Sequence, residues 1–120
     1  MTSQQNLSIA HAWLEAFNNH DIEKLLSLYD EDAEHFSPKL KVLHPETKGL
    51  LFGKSALHTW WNEAFENLPT LHYQPTSLTS NADRVFIEYI RSVANQDTTK
   101  IAEVLEIKEG KIISSRVYHS

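Results

Sequence analysis

Two glutamates lie in stretches of the sequence that are otherwise apolar. Glu88 and Glu103 each sit in a predicted strand rich in β-branched and aromatic residues, which favour strands. A carboxyl group buried among apolar side chains has a raised pKa, because burial disfavours its charged form, and it can then serve as an acid near neutral pH. We therefore predict Glu103 as the catalytic acid, assisted by Glu88. In the alternative, the two glutamates face outwards or form ion pairs with Arg91 or Arg116 on neighbouring strands.

Histidine is the second residue type that could carry protons. His35 and His119 lie in the predicted first and last strands. Imidazole titrates near neutral pH, so we predict His35 as a catalytic residue and His119 as a ligand-binding residue. The alternative is an edge or terminal histidine that is hydrogen-bonded to a neighbour. The seven histidines include no pair at spacing i, i+3 or i+4, and the chain has no cysteine, so we expect neither a metal site nor a cofactor.

Four aromatic side chains fall at helical spacing. Trp13 and Phe17 share one predicted helix, and Trp60 and Trp61 share another. We predict that they line a binding cavity, with plain core packing as the alternative. Because neighbours on a helix diverge by about 100°, one of the paired tryptophans should meet the sheet. The other should meet the cavity or the segment that precedes its helix.

The composition is that of an ordinary globular domain. With 120 residues, of which 41% are hydrophobic and 22% charged, the chain should form one domain over residues 1–120. Eleven basic residues are scattered and the net charge is −5, which argues against a nucleic-acid or anionic-membrane partner. No apolar run approaches the roughly 18 residues of a membrane span, and the polar start 1–5, an expected loose tail, lacks the apolar region of a signal peptide. We therefore expect a soluble, cytoplasmic protein.

Two helices are predicted before the first strand. Apolar residues spaced by three and one predict a helix over 6–18. An Asn-Asn pair then favours a break, and Asp21 can cap a second helix over 22–29. The acids at 30–32 would sit badly at the negative end of a helix dipole. We therefore place them in a turn.

The middle of the chain is the least regular part. A short strand is predicted over 33–37, and the segment 39–53 carries alternating apolar residues around a turn-forming centre, which predicts a hairpin. This hairpin or flap could form a lid over a cavity mouth through residues 39–52, with His44 and Glu46 at its tip, or it could be a plain surface hairpin. The strongest helical pattern of the chain follows over 55–67.

Everything after Pro69 has the pattern of strands. A proline at position 75 makes the first of these an edge or bulged strand. Three helices followed by strands predict an α+β fold, in which a curved antiparallel sheet wraps around the N-terminal helices. The strands are predicted over 71–78, 85–94, 100–108 and 111–119.

The late strands carry apolar groups on both faces. In the strand 100–108, both alternating sets of side chains include aliphatic residues, whereas a sheet with one solvated face alternates more cleanly. This pattern predicts a homodimer that covers the outer face of the sheet. Local imperfection of the pattern is the alternative.

Several of these features together resemble a known family. They are the helix pair joined by Asn-Asn-His-Asp at 18–21, the turn 28–33, Gly53 before a Trp-containing helix, and the terminal hairpin turning at 109–112. The chain resembles the nuclear transport factor 2-like superfamily, and within it the SnoaL-like group, which is similar in layout to ketosteroid isomerases. The resemblance covers nearly the whole chain and implies a cone-shaped fold with an apolar cavity at its wide end. Members include isomerases, polyketide cyclases, epoxide hydrolases, dehydratases and binding proteins, so the resemblance implies a fold rather than one function.

The residues that match the isomerase pattern are informative. Its oxyanion-hole tyrosine falls on Trp13, its general-base aspartate on Ser37, and its protonated acid on Glu103. Because tryptophan and serine do not supply the first two roles, steroid-type isomerisation is not expected, and Ser37 is instead expected to contact the ligand. The epoxide-hydrolase pattern needs an Asp-Arg-Asp relay. For this relay the chain offers only Glu88 and Arg91, without a second aspartate. The cyclase pattern needs one acid in an apolar cavity, which this chain could supply.

Three hypotheses follow. In the first, the cavity binds a small, largely apolar molecule and performs acid–base chemistry of an isomerase, cyclase or hydratase type. In the second, the domain is a non-catalytic ligand-binding or dimerisation module. In the third, it binds a protein partner, as the transport member of the superfamily does.

Overall fold

The computed structural model describes residues 2–119. Over this range the chain forms four α-helices, one 3₁₀ turn and a sheet of six strands. In chain order these are α1 Ser3–Asn18, α2 Ile22–Ser27, β1 Tyr29–Phe36, α3 Pro38–Leu43, the 3₁₀ turn Pro45–Thr47, β2 Leu50–Phe52, α4 Lys54–Asn67, β3 His72–Ser80, β4 Arg84–Ser92, β5 Thr99–Lys108 and β6 Lys111–His119.

The sheet has the strand order β2-β1-β6-β5-β4-β3. Neighbouring strands are antiparallel except for β1 and β6, which run parallel. Helix α1 packs against β3 and β4, and α4 packs against β1 and β2. The α+β prediction with a curved sheet wrapped on helices is confirmed, although the sheet is mixed and a fourth helix is present. As predicted, the proline-containing strand β3 lies at an edge and has a register shift between Pro75 and Ser77.

Helix α1 begins earlier than the apolar pattern predicts. Thr2 and Gln5 form a capping box, in which the Gln5 backbone N–H donates to Thr2 Oγ1 at 3.1 Å and the Thr2 N–H donates to Gln5 Oε1 at 2.7 Å. This reciprocal pair satisfies amide groups that a helix start otherwise leaves unpaired. The prediction of a loose tail was therefore wrong for residues 2–5.

The acidic run after α2 belongs to a strand and not to a turn. Helix α2 ends at Ser27, and β1 begins at Tyr29. Strand β2 pairs only with Glu34–Phe36, so the first half of β1 has a neighbour on one side alone. The pairing with β6 is also irregular between Tyr29 and Glu34. Because this part of the strand is an irregular edge, its charged side chains reach water without cost to the core.

The predicted hairpin over 39–53 was wrong. Ser37 caps α3, its hydroxyl accepting from the Leu40 N–H at 3.5 Å, and Pro38 occupies the first turn, where its fixed φ suits a helix. Leu40 is buried while Val42 is 77% exposed. The alternation that suggested a strand is therefore the buried and exposed sides of a short helix.

The parity of β5 is resolved by the burial of its side chains. Ile101, Glu103 and Leu105 face inwards and are buried, with Glu103 only 2% exposed. On the outer face Val104 is also buried, between its cross-strand neighbours Phe86 and Arg116. Apolar residues thus lie on both faces, and the dimer through the outer face stays a prediction. Within residues 2–119, no helix is both long and apolar enough to cross a membrane.

Gly49 gives a test of this architecture. It has φ of +87°, and an added Cβ would lie 2.9 Å from Phe36 Cε2 and 3.1 Å from the Ser37 carbonyl oxygen. We expect Gly49→Ala to lower the free energy of unfolding by about 2–4 kcal/mol, since backbone strain and overpacking add. Gly53 is the control, because its φ is similar, +85°, but its nearest neighbour would be 3.8 Å away. Urea unfolding should show Gly53→Ala to be the milder change, and equal losses would contradict the close packing at Gly49.

Candidate functional site

A cavity of about 570 Å³ lies between the inner face of the sheet and the helices α1, α3 and α4. Aromatic and aliphatic side chains supply most of its lining surface, and polar or charged side chains supply the rest. The residues predicted from sequence that line it are Phe17, His35, Ser37, Trp60, Trp61 and Glu103. The lining also includes Tyr73, Tyr89 and Arg91, which sequence reasoning did not assign to the site.

Glu103 is the buried acid of this cavity. The Tyr89 hydroxyl donates to its Oε1 at 2.8 Å. Burial raises the pKa of Glu103 to about 8, and the hydrogen bond from Tyr89 offsets part of this shift. The carboxyl group is therefore mostly protonated at neutral pH and can donate a hydrogen bond or a proton.

A stack of aromatic rings supports Glu103. Tyr89 stacks on Tyr73 with ring centroids 4.2 Å apart, and Tyr73 stacks on Phe17 at 4.7 Å. Burial, followed by the nearby charge of Glu103, raises the pKa of both phenols, so they remain donors. Tyr89 occupies the same inward row of β4 as Val85 and Ile87. The signal that could have identified it was this alternation.

His35 ends a chain of buried hydrogen bonds. The indole N–H of Trp13 donates to the Tyr29 hydroxyl at 3.0 Å, and that hydroxyl donates to Ser115 Oγ at 3.0 Å. Ser115 Oγ lies 2.7 Å from His35 Nδ1. The parallel pairing of β1 with β6 sets His35 directly opposite Ser115 and so makes the last link possible.

The direction of this chain assigns the tautomer of His35. An indole N–H can only donate, and each hydroxyl has one hydrogen. All three hydrogens find an acceptor only if Ser115 donates to His35 Nδ1, which leaves the ring hydrogen on Nε2. Burial lowers the pKa of His35 to about 4, so the ring is neutral at pH 7. His35 therefore offers a neutral N–H donor to the cavity that it lines.

Three predicted site residues lie elsewhere or outside the described side chains. Trp13 is fully buried in the core and does not line the cavity, because its face of α1 packs on the sheet. Glu88 lies on the outer face and is exposed, since it alternates with the buried Ile87 and Tyr89. The predicted role of Glu88 as an assisting residue is thereby corrected. The side chain of His119 lies outside the described residues.

The outward ion pairs that were considered for Glu103 are made by another glutamate. Glu106 accepts from Arg84 at 3.0 Å and from Arg116 at 2.7 Å on the outer face. These groups are partly exposed, so the pairs contribute modestly to stability. Glu103 lies on the inner face, where its hydrogen-bond partner is Tyr89 and not an arginine.

The segment before α4 forms one wall of the cavity mouth. Val42, Leu43 and His44 line the mouth, and the His44 ring lies 6.3 Å from the ring of Trp60. Trp61, the other paired tryptophan, is buried and meets Phe17 and His35 edge-on. Among residues 2–119, no cluster of three histidine or acidic side chains is arranged to hold a metal ion.

The tautomer of His35 gives a direct test. In the wild type, ¹⁵N NMR of the imidazole should show a hydrogen on Nε2 and a bare Nδ1. Ser115→Ala should broaden or reverse this pattern and lower the free energy of unfolding by about 1–3 kcal/mol, since two buried groups lose a partner. Ser114→Ala is the matched control, because Ser114 is the neighbouring serine, bonded instead to Arg116 at 3.3 Å. A hydrogen on Nδ1 in the wild type would contradict the chain.

The two shifted groups act on stability with opposite signs. The pKa of Glu103 rises from 4.5 to about 8, so the stability that it contributes is full below pH 4.5 and is lost as the pH rises towards 8. The pKa of His35 falls from 6.5 to about 4, so its contribution is full above pH 6.5 and is lost as the pH drops towards 4. The two oppose each other between pH 4.5 and 6.5, and above that only Glu103 acts.

This window yields a second test. Between pH 6.5 and 8, the free energy of unfolding of the wild type should fall by about 2 kcal/mol relative to Glu103→Gln, since each proton contributes about 1.4 kcal/mol per pH unit. Urea unfolding at several pH values measures the difference. Glu88→Gln should follow the wild type, because Glu88 is exposed. Parallel curves for the wild type and Glu103→Gln would show that Glu103 is not a buried protonated acid.

Solved structures with the same fold cover nearly the whole chain. A SnoaL-like protein of unknown function from Burkholderia thailandensis is 24% identical, with 99% of this chain and 97% of that one covered and a TM-score of 0.88. A candidate ketosteroid isomerase from Kribbella flavida is 15% identical, with 100% and 82% covered and a TM-score of 0.81. TerC, co-crystallised with polyporic acid, is 19% identical, with 97% and 92% covered and a TM-score of 0.83. At these identities the likeness concerns the fold alone.

Sequence comparison reaches the same family by a separate route. No curated protein matches the chain. The family model of the SnoaL-like domain matches residues 10–115, a span that runs from α1 to the middle of β6 and includes both His35 and Glu103. The chain therefore belongs to the SnoaL-like domain family, as the resemblance implied.

Proposed function

We propose that the cavity binds a small, largely apolar molecule with a carbonyl or similar oxygen, and that Glu103 drives an acid–base reaction on it. The reaction would be of an isomerase, cyclase or hydratase type. The observation that carries the proposal is a carboxyl group buried in an apolar cavity with a phenol, and not a cation, as its described partner. Such a group is poised to hold and release a proton near neutral pH.

The shape and lining of the cavity favour an apolar ligand. Its volume of about 570 Å³ is within the roughly 300–1,000 Å³ typical of small-molecule sites. Phe17, Trp60, Trp61 and Tyr73 supply aromatic surface. The apolar part of a ligand gains from leaving water here, because the aromatic surface offers it contacts.

The polar groups set where the reacting oxygen would lie. The protonated carboxyl of Glu103 and the N–H of His35 are two neutral donors that line one cavity. A ligand oxygen that accepts from both would be stabilised as it gains negative charge, because donors fixed in a dry site need not reorganise. Because the pKa of Glu103 is about 8, the residue can give up a proton and take it back within one reaction cycle.

The relatives support a ligand role for the fold without naming a ligand for this chain. TerC was co-crystallised with polyporic acid. The steroid-isomerase pattern is not supported, since Trp13 is a core residue and the Ser37 hydroxyl caps α3. A single-acid mechanism fits the described residues better.

A second candidate is ligand binding without turnover. His35, with Nδ1 engaged by Ser115 and a pKa of about 4, is a hydrogen-bond donor and not a base. A site with donors and no separate base would hold an oxygen-bearing ligand without converting it.

In either case we also propose a homodimer. In it, the outer faces of the two sheets pack together and cover the half-exposed Phe86 and Tyr118.

The two candidates can be separated with a generic substrate. Exchange of the α-hydrogens of 2-tetralone in D₂O, followed by NMR, reports acid-catalysed enolisation. In this step Glu103 donates to the carbonyl oxygen while solvent takes up the α-proton, and in the reverse step solvent returns a deuteron to the carbon while the enol hydrogen goes back to Glu103. We expect the wild type to accelerate this exchange and Glu103→Gln to reduce the enzymatic rate at least about 100-fold, the usual contribution of a general acid or base. Glu88→Gln is the matched control and should keep the wild-type rate, because it carries the same change on the outer face.

The exchange rates are interpreted together with a measurement of 2-tetralone binding. If the wild type binds 2-tetralone, as saturation-transfer NMR can show, but does not accelerate exchange, the binding candidate is favoured. If Glu103→Gln keeps the wild-type rate, or Glu88→Gln loses it, the assignment of Glu103 is wrong. Thermal melting of each variant confirms that the comparison is made on folded protein.

A further inference from the structure

Arg91 is an arginine on the inner face of the sheet, and it has no acidic partner among residues 2–119. It follows Val85, Ile87 and Tyr89 in the inward row of β4, and it lines the cavity. The other two arginines, Arg84 and Arg116, lie on the outer face and share Glu106. A guanidinium group turned towards an apolar cavity without a carboxylate is unusual, because partly buried charges are normally paired.

A second cation stands near Arg91 at the cavity mouth. Lys39, on α3, also lines the cavity, and it has no ion pair within 4.0 Å of an acid among the described residues. Partial burial, and then the charge of Arg91, lowers the pKa of Lys39. The two cations are therefore near enough for the charge of Arg91 to act on Lys39, which is itself exposed. Glu63 is the other acid in the lining besides Glu103, and it is exposed and not paired with either cation.

Arg91 and Glu103 lie at different levels of the sheet. In the β4–β5 pairing Glu103 is opposite Ile87, whereas Arg91 is opposite Thr99. Four residues along β4 separate the two levels, which corresponds to about 13 Å at the usual rise per residue. Tyr73 lies opposite Arg91 on β3, and its ring stacks on that of Tyr89, which donates to Glu103. The lining therefore carries a neutral donor at the level of Glu103 and a cation at the level of Arg91.

From this arrangement we infer that the ligand is a small, largely apolar carboxylic acid, held by its carboxylate against Arg91 and Lys39 while its far end reaches Glu103 and His35. The inference rests on the proposed function and specifies its ligand class. Carboxylate is the anion that best fits the arginine, because the planar guanidinium can donate two parallel hydrogen bonds to it. The charge would also orient the ligand, since only one end can meet the cations.

A matched pair of probes tests the inference. 6-Acetyl-2-naphthoate has a carbonyl at one end and a carboxylate at the other, and 6-acetyl-2-naphthamide is its neutral isostere. Isothermal titration calorimetry at pH 7 should show wild-type protein binding the carboxylate about fivefold more tightly than the amide, the size of effect expected for a partly exposed ion pair. Arg91→Gln should abolish the preference, because the carboxylate loses more affinity than the amide when the charge is removed. Lys39→Gln should reduce the preference.

Arg84→Gln is the control, because it removes the same charge from the outer face, and it should keep the full preference. If the amide binds but the carboxylate is not preferred, or if the preference survives Arg91→Gln, the inference is wrong while the apolar cavity stands. If neither probe binds, the proposed function fails and the inference fails with it. The wild-type preference measured at 150 mM and at 500 mM salt should shrink at the higher concentration, because salt screens the attraction.

Discussion

The structure depends on one costly act of burial, which places a carboxyl group among aromatic side chains without a cation to balance it. Ionised, Glu103 would lose its hydration and gain only the hydrogen bond from Tyr89, so the neutral form prevails. The aromatic stack of Tyr89, Tyr73 and Phe17 supplies apolar surface around it. The same rings create the apolar space that a ligand would fill. The residues that lower the stability of the fold are therefore the same residues that could make the site reactive, as is common where stability is sacrificed for a site.

The two faces of the sheet treat charge in opposite ways. On the outer face, arginines and Glu106 pair with one another in contact with water. On the inner face, Glu103 and Arg91 lie four residues apart in level along β4 and form no ion pair with each other. Side-chain parity, a matter of odd and even positions along a strand, decides which behaviour a residue shows. Glu88 and Glu103 have the same chemistry, and only their parity separates a surface charge from a buried acid.

Much of the fold could be predicted from sequence, because the helix over 55–67 and the late strands have strong periodicity and clear turn residues. The segment 39–53 could not, since a short helix of alternating burial imitates a strand and only the Ser37 cap tells them apart. The choice of Glu103 needed no more than its apolar neighbours, but the exclusion of Glu88 needed the observed parity. Ser115 had no local signal at all, because its partners Tyr29 and His35 lie 86 and 80 residues away in the sequence.

The parallel pairing of β1 with β6 has a consequence for how the protein acquires its shape. It joins the first strand to the last strand described. The series of hydrogen bonds that links Trp13 to His35 through Ser115 therefore forms only when β6 has docked. Pairing strands that are far apart in the sequence costs loop-closure entropy before the stabilising contacts form, and this slows folding. A nascent chain emerging from the ribosome would form its helices and the β3–β5 meander first. The apolar inner face of the sheet would then still be exposed to water. That interval is when such a protein is most exposed to aggregation and most in need of a chaperone.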